Sequence, residues 1–446
     1  MATVSMTALP AAAQDRLFAI LPQSFVNNAQ SRSVLIEVDT RPGSIGQIRR
    51  QVSLPDQDKP SGVVVVDHGR YLVWAEGAAT RVNFYDAVAN RSGGVYPQVG
   101  LDARILAGDP RRPRVFMASE AGITIVDGAS GEVRAVTPWA PATVSVGAFS
   151  SALNRLFVAN RGAGPPRVDV IDVEQGVVER SMVLGTQFIA DIAVDRSGTR
   201  LFVASDVTTP GSRLGLDVYA VDTGALLGHA DVPGRQQFTR EGILQLDESR
   251  GRVLIKSVAN EIGQLQVTAY DLQTVAPLGT VAGAWLDALA GAFPMQWLQG
   301  PRSLAYVLTG VYSPFTGCGA RFEARNPDTG AAVQALDVSR LWSGSPSGSV
   351  CAAQLALMSP PLAPTLTTSV HGSRVTLSWS GIDDATHYDL EAGSAPGLAN
   401  LLTSAGHAGT SLNVDGVPPG TYYVRVRAIN WVGRSLPSQE VQVVVP

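Results

Sequence analysis

The apolar residues of this 446-residue chain fall in short blocks, not in helical stripes. The block Arg155-Leu-Phe-Val-Ala-Asn160 recurs as Arg200-Leu-Phe-Val-Ala-Ser205. Looser copies begin at Arg16, Tyr71, Arg114, Arg252 and Leu304, so successive starts lie 55, 43, 41, 45, 52 and 52 residues apart. Each copy is apolar throughout and rich in β-branched and aromatic residues, which predicts a strand buried on both faces. A second, alternating block follows each one and ends in an acidic turn, as in Val168-Asp-Val-Ile-Asp172 and Ile123-Thr-Ile-Val-Asp127. An Asp side chain caps such a turn, and a nearby Gly supplies the positive φ, as in Asp222-Thr-Gly224. A third strand leads away (Val177–Val183) and a fourth precedes the next copy (Ile189–Asp195).

Four short strands per ~45 residues is the count for a β-propeller blade. Seven copies predict an all-β, seven-bladed β-propeller over residues 15–358. The first unit begins at its second strand, so its inner strand is expected from Ala353–Met358, after the seventh unit. Pairing the chain's two ends in one sheet removes an open edge. The pattern Asp195-Arg-Ser-Gly-Thr-Arg-Leu-Phe-Val-Ala204, followed by Val221-Asp-Thr-Gly224, resembles the YVTN-type and lactonase-like seven-bladed propellers. That resemblance implies a fold, since such scaffolds serve enzymes, sensors and platforms alike.

Ser359–Pro364 is a Pro-rich linker, expected to be extended. Residues 365–446 then alternate in strands with turn clusters between them. With Trp379, Tyr388, Tyr423 and the closing Gln439–Val445 run, this segment resembles a fibronectin type III domain, an immunoglobulin-like β-sandwich. The resemblance implies a spacer or binding module of an exported bacterial protein. Residues 1–14 read as a flexible terminus or the remnant of a signal, with Ala11-Ala12-Ala13 as its small-residue end.

The formal charge of −4 gives no basic face, which argues against nucleic acid as a partner. No window is long and apolar enough for a membrane helix. Lys59 and Lys256 are the only lysines. Cys318 and Cys351 are the only cysteines; an oxidising compartment would allow them to bridge, and the alternative is two buried thiols. No zinc spacing, metal motif or cofactor fingerprint occurs, so no cofactor or metal is expected. Nor is there a nucleophile elbow: Gly344-Ser-Pro-Ser-Gly348 has Pro346 where the nucleophile would stand. His387 with Asp383, Asp384 and Asp389 reads as a solvated loop rather than a cation site.

The long loops come late: 206–215, 232–242, 281–299, 310–319 and 337–350. Long loops on a rigid scaffold are where function concentrates. They carry Arg213, Arg235, Arg240, Trp285, Phe293, Trp297, Tyr312, Phe315 and Trp342, and Arg161 follows an earlier aligned strand. Flat aromatic faces beside arginines suit a sugar, a peptide or another small polar ligand. Residues 284–293 are expected to form a short helix lidding the channel mouth. Lys256 stands where four other copies have Ala75, Ala118, Ala159 and Ala204, and a buried lysine needs a carboxylate, with Glu241 the expected partner. Two readings stay open: a monomeric, exported protein binding a ligand or protein partner on its loop face, and a lyase or lactone hydrolase using Asp206, Glu241, Asp287 and Lys256.

Overall fold

The structure is a computed structural model that describes residues 15–25, 33–41, 44, 47–54, 60–76, 81–97, 103–120, 122–136, 144–160, 165–185, 188–206, 213–235, 243–258, 265–284, 296–299, 305–313, 317–337, 348–350 and 354–446. The chain divides into two compact units, one built on Arg16–Leu357 and the other on Met358–Pro446.

The first unit is a seven-bladed β-propeller of antiparallel sheets. Blade 5 is typical: Phe188–Val194, Arg200–Asp206, Arg213–Ala220 and Leu226–Arg235 pair in chain order. The first strands of blades 2 to 6 (Pro60–Val66, Arg104–Gly108, Val144–Ser150, Phe188–Val194, Leu244–Asp247) pack on one another in succession and so line the axis. Blade 1 is closed by both ends of the unit. Its ten-residue strand Arg16–Phe25 pairs with Gln354–Met358, as expected, and also with Gly348–Val350, where Gln23 lies opposite Val350. Blades 5 and 6 are further joined by one backbone bridge, Arg235 opposite Val258.

The recurrent block is apolar at every position because both of its faces are buried. In blade 4, Leu156 and Val158 pack into a cluster with blade 3, while Phe157 and Ala159 pack into a cluster with blade 5. Each fully buried aliphatic or aromatic side chain contributes roughly 1.5–3 kcal/mol.

A second device ties neighbouring blades. The acceptor is the carbonyl of the first residue after the third strand, or of the second in blade 7, and the donor comes from the preceding blade. Arg16 donates to Ala87 O, Tyr96 to Gly128 O, Arg134 to Val173 O, Arg180 to Val221 O, Arg200 to Leu272 O and Arg252 to Pro327 O. Where that strand ends in Asp, the side chain shapes the turn that presents the carbonyl: in blade 4, Asp172 Oδ1 accepts the N–H groups of Glu174 and Gln175.

Several segments expected as loop are strand. Ala305–Ser313 and Gly317–Arg325 form a nine-by-nine hairpin through most of 310–319. Leu226–Arg235 and Pro277–Ala284 likewise run further than the composition suggested. Gly and Pro in these stretches weakened the strand signal, but the cross-strand ladder continues through them. Among the described residues the only helical element is the single turn Glu248–Arg250, closed by Gly251 at φ 62°. The helix expected at 284–293 lies outside the described residues, apart from Ala284, which ends a strand.

The second unit is a seven-strand, two-sheet sandwich. Leu366–His371, Arg374–Trp379 and Ser411–Val414 form one sheet; Leu402–His407, His387–Gly393, Gly420–Ile429 and Val441–Val445 form the other. Trp379 and Tyr388 meet edge to face in its core, ring centroids 5.7 Å apart. Glu391 sits between Arg425 and Arg427, which hold its carboxyl below the usual range against the opposing effect of burial.

Candidate functional site

In blades 2 to 7 the third strand carries a polar side chain at one shared position in the middle of an otherwise apolar interface. Asn83, Thr124, Asp169, Asp217, Thr268 and Glu323 occupy the same register position in blades 2 to 7, and all are buried. A buried carboxylate must be saturated with donors. In blade 4, Asp169 accepts from Asn160, Arg167 and Ser181. In blade 5, Asp217 accepts from Ser205 at 2.7 Å and bonds His229 Nδ1 at 2.7 Å. Asp217 therefore raises the pKa of His229 above its ordinary 6.5.

The junction of blades 5 and 6 holds a second charged group. Asp191 sits at a bulge in the inner strand of blade 5, opposite Ala204. Its two oxygens accept the N–H of Ile192 in its own strand and of Leu244 in blade 6, each at 2.9 Å. Burial pushes its pKa up to about 6, opposed by these donors and by the positive charge of Lys256. Lys256 is buried on the second strand of blade 6, opposite Val267, and its N–H donates to Ile243 O. Asp191 is thus a carboxylate that feels this lysine; Glu241, the expected partner, lies outside the described residues.

The expected site residues distribute as follows. At one end of blade 5 the backbone register sets Asp206 opposite Leu214 and Arg213 opposite Arg235, which in turn lies opposite Val258, two residues beyond Lys256. In blade 7, Trp297 is opposite Val307 and Tyr312 opposite Cys318. Arg161, Arg240, Asp287, Trp285, Phe293, Phe315, Trp342 and Cys351 lie outside the described residues. In the sandwich, Asp389 is taken by Arg434 and by the N–H of Gly406, and no group of three metal-binding side chains occurs among the described residues. No described helix is long and apolar enough to cross a membrane.

Sequence reasoning missed Asp191, Asp217 and His229. The signal was present: an Asp inside Ile189-Ala-Asp-Ile192 interrupts an apolar inner strand, and Asp169 and Asp217 recur at one place in the repeat.

No protein-family model matches the sequence, and no curated protein matches it. Among solved structures, the chain is similar to Kuenenia stuttgartiensis hydrazine synthase at a TM-score of 0.46 and 16% identity, over 63% of this chain and 80% of that one. It is similar to dihydro-heme d1 dehydrogenase NirN, solved in complex with DHE, at a TM-score of 0.49 and 15% identity, over 81% of this chain and 68% of that one. The propeller assignment rests on the order and register of its own sheets.

Proposed function

We propose that the propeller binds a small polar ligand, such as a glycan, a short peptide or a hydroxylated acid, at the rim where blades 5 and 6 join. The observation that carries this is Lys256, a buried cation where four other blades have alanine, two residues before Val258, whose backbone bridges to Arg235 at a strand end of blade 5. A buried charge costs stability, and four other blades do without it at this position. The aromatic residues Trp285, Phe293, Trp297, Tyr312, Phe315 and Trp342 would supply stacking faces, with Arg161 and Arg240 adding charge. The sandwich, with two sheets of three and four strands, would serve as a fibronectin type III-like spacer in an exported, monomeric protein, and the same rim would also take a protein partner.

The enzyme reading, a lyase or lactone hydrolase using Asp206, Glu241, Asp287 and Lys256, draws on the carboxyl group held near 6 at Asp191. Both oxygens of Asp191 are occupied by backbone donors, however, which makes it a strut between blades rather than a free acid or base.

The test is a thermal-shift panel of oligosaccharides, sugar acids and short peptides on the full chain and on Lys256→Ala. Alanine is native at the matching place in four blades, so the variant should fold. A ligand that stabilises the parent and loses its effect in Lys256→Ala supports the site; a ligand indifferent both to that change and to Trp285→Ala with Trp297→Ala removes it.

A further inference from the structure

Blade 5 alone extends its buried polar position to the surface through an imidazole. Opposite the buried polar residue, the outer strands of blades 2, 3, 4, 6 and 7 carry Val95, Ala135, Ser181, Thr280 and Ala335; blade 5 carries His229. Its Nδ1 bonds Asp217 Oδ1 at 2.7 Å, and Ser205 holds the other oxygen of that carboxylate. With Nδ1 committed to the carboxylate, the lone pair of the neutral ring is on Nε2, and half of the side chain is open to solvent.

Asp231 follows at i+2 and so shares a face of the strand with His229. Its Oδ1 lies 3.6 Å from His229 Nε2. That is beyond a hydrogen bond. It is, however, the separation of two donors on one small cation: bonds of ~2.1 Å to each would subtend about 120°, close to tetrahedral. The backbone here is fixed, because Tyr270 of blade 6 donates its hydroxyl to Asp231 O at 2.9 Å. Gly215 leaves room for the ring: a Cβ there would stand 3.2 Å from His229 Cε1 and 3.0 Å from Ser205 Oγ.

We propose that His229 Nε2 and the Asp231 carboxylate form an open site for a first-row divalent transition ion such as Zn²⁺ or Ni²⁺, with Asp217 as the outer carboxylate that orients the imidazole. A histidine whose second nitrogen donates to a carboxylate is the usual arrangement around such ions. Imidazole with a carboxylate favours them over Mg²⁺, which prefers oxygen donors alone. Two protein donors leave the other positions to solvent, so the ion would be exchangeable and able to take an external ligand.

The test is calorimetric titration of the full chain with ZnCl₂ and NiCl₂ near pH 7.5, with MgCl₂ as the contrast. The expected result is one saturable equivalent for zinc and none for magnesium. His229→Gln and Asp231→Asn should each abolish that equivalent, while Asp217→Asn should weaken it about 10–100-fold. Circular dichroism and the melting temperature of each variant show that it remains folded. Zinc binding that survives His229→Gln, or no saturable binding below about 1 mM, overturns the site and leaves His229 and Asp231 as a surface ion pair. Because this site lies on the outer strand of blade 5, its failure leaves the rim site of Lys256 untouched.

Discussion

Asp191 of blade 5 accepts the backbone N–H of Leu244 of blade 6 at 2.9 Å, so a buried carboxyl group links the inner strands of two neighbouring sheets. Its pKa is raised from 3.8 to about 6, chiefly by desolvation. Between those values the unfolded chain is ionised while the folded one holds the proton. Stability is therefore fullest below pH 4 for this group, and falls as pH rises toward 6, by on the order of 3 kcal/mol. Urea denaturation from pH 4 to 7 should show this slope, and Asp191→Asn should flatten it. An unchanged slope would mean that other groups carry it.

Lys256→Ala removes the cation that favours ionised Asp191. The carboxyl should titrate higher in that variant, and the pH-dependent loss of stability should extend to higher pH. The same denaturation series reads this. A shift to lower pH would contradict the assigned electrostatics.

His229 acts in the same direction for the opposite reason, since here the charged form is the one favoured. Its hydrogen bond to Asp217, aided by the charges of Asp217 and Asp231, raises its pKa above 6.5 against the pull of desolvation. Its contribution to stability is complete below 6.5 and disappears as pH rises through the folded value. Imidazole NMR should place its titration above that of a free histidine, and Asp217→Asn should bring it down.

The carbonyl latches can be removed one at a time. Arg134 donates to Val173 O and Glu174 O of the next blade. Arg134→Ala should cost about 1–2 kcal/mol in urea denaturation, toward the low end for hydrogen bonds from a charged group because the site is partly exposed. A cost below ~0.3 kcal/mol for each of Arg134, Arg180 and Arg252 would show that apolar packing alone holds the blades.

Cys318 lies on Gly317–Arg325, which runs beside Gly348–Val350, the segment ending one residue before Cys351. A bridge between them would lock the closing blade to its neighbour, adding about 3–4 kcal/mol. Peptide mapping without reduction should recover the linked pair, and Cys318→Ser should lose that stabilisation. Two alkylatable thiols in unreduced protein would rule the bridge out.

The strand repeat was legible because each central strand is squeezed between two neighbours and must be apolar throughout, as Leu156 to Ala159 illustrate. The closing strand followed from the blade that lacked one. The site was less legible. Lys256 stood out against four alanines, but its electrostatic partner, Asp191, is 65 residues away in the previous blade, and adjacency between blades has no local signature. The polar position of the third strands hides in ordinary alternation: a lone Asp169 looks like a solvent-facing residue until register shows it buried. Loop lengths were overestimated where glycines such as Gly310 and Gly319 sit inside a continuing ladder.

The strand Arg16–Phe25 waits for partners that lie more than three hundred residues downstream. On a ribosome, the first blade must stay unfinished while the other six are made, with Leu17, Phe18 and Ile20 lacking their inner neighbour. Folding of the ring is then gated by synthesis of residue 358, and the early chain is the part most in need of a chaperone's cover.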